Sequence, residues 1–421
     1  MLKKSLAIVL MGIMVLGGTI LWFLHIHRPY LTVIGPVDMC DGIGRQSLDL
    51  VEALHEEISI GLMPTTRISL HGFKPSAYRL LKLRPKKLGK VIVFEDSFGL
   101  QGGSSYKRLK TLKNEHQLRI AYSMFESDRI PSEWVPIINY YFDAVVVPDA
   151  CFVEVYKQSG VTVPVFSIPL GLNVEDFLAQ PLKTQRNHPM VFSNLSAAVP
   201  RKNQVKLVRA FHAAFGNSPE VRLRINSRYS DLPTRNALKQ EIEALGLTNI
   251  DFTEMILDKP LYVKTMEATD CYVSLSTGEG FSIQPREAMA LGIPVIVTDN
   301  TGQSTICKSH LVRSVPSLDK IPAYYNWFNE VIGKAYDCSI EDAALALRDV
   351  YEHYDAYLSK GKEAREWVKQ YRFTNLKPFY LSLVKPKKVT LGHENRITPE
   401  EVITDSPELY HKYRTLLKTP S

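Results

Sequence analysis

The stretch Cys271–Gln303, CYVSLSTGEGFSIQPREAMALGIPVIVTDNTGQ, decides the fold. Cys271–Ser276 is a short apolar run rich in β-formers, and Gly278 and Gly280 break it. Pro285 suits the first turn of a helix, where its missing N–H costs nothing. That helix carries Ala288, Met289 and Leu291, and Gly292 followed by Pro294 ends it. Pro294–Thr298 reads as a second buried strand. Strand, glycine loop, helix and strand make one βαβ unit, so a parallel sheet is expected.

Two carboxylates flank the turn, Glu279 on the glycine loop and Glu287 in the first turn of the helix. Their spacing puts them on no common helix face. Both can face the crevice beyond the strand's carboxyl end, where open α/β sheets bind ligands. A carboxylate accepts two hydroxyl hydrogen bonds at once, which suits a ribose or a hexose. The helix N-terminus and the second glycine loop, Thr301-Gly302-Gln303, offer backbone N–H groups to phosphate. Hydroxyls and phosphates together point to a nucleotide sugar. The bland reading of the same residues is an acidic side chain that steadies a helix's first turn and a solvated glutamate in a turn.

The segment GEGFSIQPREAMALGIPVI resembles the Glu-x7-Glu signature of family 4 glycosyltransferases with the GT-B fold. The likeness covers both glutamates, the Gly-Phe after the first, the Glu-Ala-Met after the proline and the Gly-x-Pro-Val-Ile exit. It implies that Glu279 contacts the transferred sugar and Glu287 the ribose. It also puts Gly280, Phe281, Ser282 and Gly302 around the donor.

Composition sets the outer limits. The chain has 421 residues, 45% hydrophobic and 23% charged, enough for two α/β domains. The formal charge of +7 is mild and scattered, with no aromatic-interleaved basic strip of the kind that binds nucleic acid. An anionic membrane surface suits it better. The five cysteines, Cys40, Cys151, Cys271, Cys307 and Cys338, form no CxxC pair, so neither a zinc site nor a disulfide framework is expected.

At the amino terminus, Lys3 and Lys4 precede Ser5–Leu24, which holds no charge. Twenty helical residues at ~1.5 Å each span a bilayer core of ~30 Å. An uncleaved membrane anchor over residues 1–29 is therefore expected, single-pass or monotopic; a cleaved export signal is the alternative. The basic residues favour a cytoplasmic amino terminus. A cytosolic donor in a bacterium would demand the opposite orientation or a monotopic helix.

Leu31–Gly35 reads as the first strand of an N-terminal Rossmann-like domain over residues 30–180. Asp41-Gly42-Ile43-Gly44-Arg45 follows, then a helix with Ile43, Leu50, Val51 and Leu54 on one face. This loop lacks the full GxGxxG, which weakens a dinucleotide reading. It resembles the glycine loop that opens family 4 enzymes, which makes Gly42, Gly44 and Arg45 candidates for the donor diphosphate. Val91–Glu95, Leu118–Ser123, Ala144–Val147 and Val165–Ile168 read as further strands, with a Gly/Ser/Lys-rich loop at Asp96–Lys113. Glu126, at a strand's carboxyl end, is the candidate to orient an acceptor hydroxyl or take its proton. Asp128 is a second candidate; helix capping by Ser127, Asp128 or Ser132 is the structural alternative. Many family members carry a histidine near here, and this segment has none.

Pro169-Leu170-Gly171-Leu172-Asn173 resembles the family's Pro-x-Gly-x-Asp lead into the linker, with Asn173 in place of Asp. A C-terminal donor domain over residues 189–360 follows, then a cross-over helix over residues 361–384 and a basic tail over residues 385–421. In SAAVPRKN, Lys202 matches the family's diphosphate-binding lysine, but Ala197 stands where the family has arginine. Arg201 is not assumed to replace it. Ser339 reads as the N-cap of a helix over Glu341–Leu358.

The expectation is thus an α/β protein of two Rossmann-like domains, GT-B in type, with an N-terminal transmembrane helix. As the resemblance implies, it moves a hexose-type sugar from a nucleoside diphosphate sugar to a glycan or lipid-linked hydroxyl with retention. No metal and no cofactor are expected beyond that substrate. A sugar-nucleotide epimerase and a non-catalytic nucleotide-sugar-binding protein are the alternatives.

Overall fold

The computed structural model describes residues 11–19, 29–71, 76, 81, 85, 87–95, 117–326 and 328–384. The first lobe is built on a parallel sheet of β1 (Leu31–Gly35), β2 (Ile60–Pro64), β3 (Val91–Phe94), β4 (Leu118–Tyr122), β5 (Ala144–Val147) and β6 (Val165–Ser167). The strand order is β2-β1-β3-β4-β5-β6. Its strands are apolar on both faces because helices cover both. Along β3, Val91 and Val93 join one core layer, while Ile92 and Phe94 join the other. Helices α1 (Gly42–Leu54), α2 (Trp134–Tyr141) and α3 (Cys151–Gln158) are among the connections.

The second lobe repeats the scheme with β7 (Met190–Asn194), β8 (Val221–Ser227), β9 (Ile250–Glu254), β10 (Cys271–Ser274), β11 (Val295–Asp299) and β12 (Arg313–Pro316). Their order is β12-β11-β10-β7-β8-β9, all parallel. The winding reverses between β7 and β10, and such a reversal opens a crevice at the strands' carboxyl ends. The helices that matter here are α4 (Gln204–Phe215), α5 (Lys259–Glu267), α6 (Ile283–Leu291) and α7 (Thr301–Cys307).

The predicted βαβ unit is present, with shifted boundaries. Ser282 takes a left-handed φ of 66° and α6 starts immediately after it, at Ile283. Pro285 is therefore the helix's third residue, and Glu287 its fifth, beyond the first turn.

An antiparallel hairpin of β13 (Asp319–Tyr325) and β14 (Glu330–Asp337) follows β12, a segment in which no element is expected from the sequence. It leaves the second lobe and packs on the first. Tyr325 lies 4.5 Å from Phe125, centroid to centroid, and Ile332 is buried in the first lobe's core. Helix α8 (Ile340–Glu352) is capped by the Ser339 hydroxyl, which accepts from the Asp342 N–H at 2.9 Å. It stops at Glu352 instead of running to Leu358. Helix α9 (Gly361–Val368) packs on α6, and α10 (Phe373–Val384) returns to α1 of the first lobe. The Tyr380 hydroxyl donates to the Pro169 carbonyl at 2.5 Å and accepts from Gly171 N–H at 3.0 Å and Gln46 Nε2 at 3.2 Å. One apolar cluster runs from Val33 and Leu48 through Phe281 and Ile283 to Tyr371 and Leu383, so the lobes share a core.

Of the expected anchor, residues 11–19 are helical, with Met11, Ile13, Met14, Val15 and Leu16 exposed. The rest of Ser5–Leu24 lies outside the described residues, as do the loop Asp96–Lys113 and the tail after Val384. Among the described residues no helix is long and apolar enough to cross a membrane.

Candidate functional site

The reversal between β7 and β10 gathers charge. Beyond β7 a single 3-10 turn, Pro200–Lys202, presents Arg201 and Lys202; beyond β10 the glycine loop presents Glu279. The Thr277 N–H donates to the Arg201 carbonyl at 2.8 Å, which ties the two loops together. Glu279 accepts from the Ser276 hydroxyl at 2.6 Å, from Arg201 Nη1 at 3.2 Å and from Lys202 Nζ. Its backbone is held as well: its N–H donates to Thr301 Oγ1 at 2.8 Å, and its carbonyl accepts from the Gly302 N–H at 2.9 Å. Burial pushes the Glu279 carboxyl up, but the Lys202 and Arg201 charges and the bonds from Lys202 and Ser276 outweigh it and hold it at about 2. Burial pulls the Lys202 ammonium down to about 8 against the pull of Glu279.

The first lobe contributes Glu126. Its carboxylate lies 3.0 Å from Arg201 Nη2, so one guanidinium bridges Glu126 and Glu279 across the cleft. Close approach of the lobes explains the glycines. A Cβ on Gly278 would sit 2.0 Å from the Glu126 carbonyl oxygen, and one on Gly280 would sit 3.1 Å from Met124 Sδ. Asp128 points away from this cluster. Its Oδ1 accepts from the Lys334 N–H of the hairpin at 2.7 Å, and Ser127 Oγ donates to the Ile332 carbonyl at 2.8 Å. Neither caps α2, which carries no side-chain cap.

Glu287 is wholly buried and links the lobes. It accepts from Arg45 Nη2 of α1 at 2.7 Å and from the Tyr262 hydroxyl of α5 at 2.7 Å. Burial opposes the Arg45 charge, but Glu287 and Asp49 more than offset it and raise its pKa. Asp49 is buried on the same helix, and burial pushes its carboxyl up to about 7 against Arg45 and Lys259. The N-terminus of α1 is already occupied by a carboxylate: Asp41 Oδ2 accepts from the Ile43 and Gly44 N–H groups at 3.1 and 3.0 Å. Gly44 is required by packing, since a Cβ there would meet the Asp38 backbone at 2.5 Å. Gly42 is unconfined: a Cβ there would have only Ile283 Cδ1 beside it, at 3.6 Å.

Three expected donor contacts have other duties. Phe281 is buried in the shared core, 5.5 Å from the Tyr371 ring. Ser282 Oγ accepts from Gln303 Nε2 at 3.0 Å. The Gly302 N–H donates to the Glu279 carbonyl, and a Cβ on Gly302 would meet that carbonyl at 2.7 Å, so Gly302 supports Glu279 in this structure. Arg286, which carries no sequence signal of a site role, is fully buried between the Phe281 and Tyr371 rings and donates from Nη1 to the Phe281 and Ser282 carbonyls. Arg201, Tyr262 and Lys259 also join the site without being expected there. Arg201 had a visible signal, since it adjoins Lys202; Tyr262 and Lys259 had none, because α5 reaches the site only through folding. One group of metal-ligand type exists among the described residues, where the sequence suggested none. Asp38, Cys40 and His71 bring ligand atoms within 4.8 Å of one another. Internal bonds account for it, because Cys40 N–H donates to Asp38 Oδ1 at 2.8 Å and His71 Nε2 lies 2.6 Å from Ser69 Oγ.

Residues 179–315 match the family described as glycosyl transferases group 1. That region holds Arg201, Lys202, Glu279 and Glu287. The chain is similar to a glycosyltransferase from Rickettsia africae ESF-5, with a TM-score of 0.61 at 15% identity over 85% of this chain and 99% of that one. It is similar to Anabaena Alr3699/HepE, solved in complex with UDP and glucose, with a TM-score of 0.58 at 13% identity over 84% and 97% of the two chains. A sequence relative, uncharacterized protein 356 of Sulfolobus islandicus rod-shaped virus 1, is 22% identical over 80% of this chain and 92% of its own length. The structural likenesses establish the fold, two parallel six-stranded sheets in the GT-B arrangement.

Proposed function

We propose that the protein is a GT-B glycosyltransferase of the family 4 type that moves a hexose-type sugar from a nucleoside diphosphate sugar to a hydroxyl, with retention. The observation that carries this reading is the convergence of Arg201, Lys202 and Glu279 at the reversal of the second sheet, with Glu126 of the first lobe on the same guanidinium. Two adjacent cations suit a diphosphate, which they stabilise further as it leaves. Arg201 supplies the second charge that Ala197 lacks. As the cations turn to the diphosphate, Glu279 is released to accept sugar hydroxyls, while Glu287 accepts those of the ribose when Arg45 and Tyr262, which hold it here, give way. Glu126 then orients the acceptor hydroxyl. The shut cleft keeps out water, which would otherwise hydrolyse the donor. The nucleotide and glucose bound by Alr3699/HepE support this class of donor.

The division into residues 30–180 and 189–360, with a cross-over segment at 361–384, belongs to the same proposal. So does a monotopic or spanning membrane contact through residues 5–24, which the exposed apolar helix at residues 11–19 supports.

The test is a panel of common nucleotide sugars incubated with the full chain while nucleotide release is followed. Release that depends on an added acceptor is expected. Conversion of donor to an epimer without acceptor would replace the reading with an epimerase. Binding without turnover would make the protein a non-catalytic nucleotide-sugar-binding protein, and no binding to any donor would refute the site.

A further inference from the structure

Between the lobes, with Ser127 and Asp128 next to Glu126 in its wall, lies a cavity of about 330 Å³. It falls at the small end of the ~300–1,000 Å³ range of small-molecule sites. The first lobe supplies Asp128 and, from α3, Phe152 and Val155; the second supplies Asp299, Ser304 and Tyr336. None of these belongs to the donor cluster, yet the cavity abuts it. Thr301, also in its wall, holds the Glu279 N–H at 2.8 Å, and Asp128 is two residues beyond Glu126.

The chemistry of the wall selects its occupant. Asp128 commits one carboxylate oxygen to the Lys334 N–H, and Asp299 commits one to the Ser304 hydroxyl at 2.6 Å. The second oxygen of each has no protein partner among the described residues, so each can accept from a hydroxyl. Val155 and Tyr336, both half-buried, offer apolar surface, which suits the C–H face of a pyranose. No lysine or arginine side chain is among the lining residues. A phosphate there would meet two carboxylates in the wall and no lysine or arginine of the wall itself, and like charges set against each other in an interface exclude a partner.

We infer that this cavity is the acceptor subsite and that it takes one neutral, uncharged sugar residue in preference to a phosphorylated one. The inference rests on the glycosyl-transfer reading above, because it supplies that reaction's second substrate. It also makes the acceptor a neutral glycan end, with any lipid or phosphate carrier lying outside the cavity.

The experiment uses the full chain and neutral mono- and disaccharides beside their 6-phosphates, with binding read by saturation-transfer NMR and by titration. Neutral sugars are expected to bind at least about tenfold more tightly than their phosphates. Val155→Trp, which fills the cavity from α3, should cut saccharide binding at least about tenfold and raise the acceptor KM by the same factor, with nucleotide binding unchanged. Asp128→Asn keeps an oxygen for the Lys334 N–H and removes a charge, so it should narrow the gap between neutral and phosphorylated sugars. It also stands as the test if Val155→Trp does not fold. A parent protein that prefers phosphorylated sugars, or a Val155→Trp variant that binds saccharide like the parent, overturns the inference. Saccharide binding that Val155→Trp abolishes, with no donor bound by any variant, would sink glycosyl transfer and leave the cavity a sugar site.

Discussion

Removing the Glu287 carboxylate tests the closed interface between the lobes. In Glu287→Ala the Arg45 guanidinium keeps its charge and loses a 2.7 Å partner, while its side chain stays only 12% exposed. The Tyr262 hydroxyl loses its acceptor in the same step. Breaking one side of a buried ion pair costs about 3–5 kcal/mol, because the surviving charge stays desolvated. That is a factor of roughly 10²–10³·⁵ in the folding equilibrium at ~1.4 kcal/mol per decade. Urea unfolding followed by tryptophan fluorescence and by circular dichroism reads the loss, and coincident transitions license a single free energy. A double-mutant cycle isolates the pair. Arg45→Met should also destabilise, and Arg45→Met/Glu287→Ala should cost at least about 2 kcal/mol less than the two single changes added together. A loss below about 1 kcal/mol for Glu287→Ala, or strict additivity, would mean that the pair is solvated and the lobes do not close as described. The ribose role needs Glu287→Gln, which keeps an oxygen for Arg45, should lose less stability than Glu287→Ala, and should weaken nucleotide binding.

The remaining predictions concern the same interface. Lys202 is held at about 8, and a diphosphate beside it raises that value, so nucleoside diphosphate binding should take up most of a proton at pH 8.5 and almost none at pH 6.5; titration in buffers of different ionisation enthalpy reads this, and equal uptake at both values refutes the Lys202 role. Gly278→Ala puts a Cβ 2.0 Å from the Glu126 carbonyl, so the lobes must part there; transfer should fall at least about tenfold, by the misplacement argument for catalytic groups, with nucleotide binding retained. Tyr380→Phe removes the hydroxyl that holds Pro169, Gly171 and Gln46; a loss of about 1–3 kcal/mol in urea unfolding is expected, and a neutral result would show that apolar packing alone fastens α10.

The sequence determined the parts whose cause is local. Short continuous apolar runs, glycine breaks and the Gly292 stop define the βαβ unit, since strand runs, helix period and left-handed turns are properties of a few consecutive residues. The same stretch named Glu279 and Glu287, and Lys202 was legible through its resemblance to the family's Pro-x-Lys segment. Tertiary structure decided what those groups touch. Arg45 meets Glu287 from 242 positions away, and Asp41 accepts from the Ile43 and Gly44 N–H groups of the glycine loop that had been a candidate for the diphosphate. The Gly302 N–H serves Glu279, and Arg201 joins Glu126 to Glu279. The hairpin at β13 and β14 has no local signal because Ile332 and Tyr325 find their apolar partners in the other lobe while Tyr324 and Val331 stay half exposed, so its own sequence carries no mark of the partner. Buried charges and donors take whichever partner the packing brings within reach, and that choice is fixed by how the two sheets dock, which no window of neighbouring residues encodes.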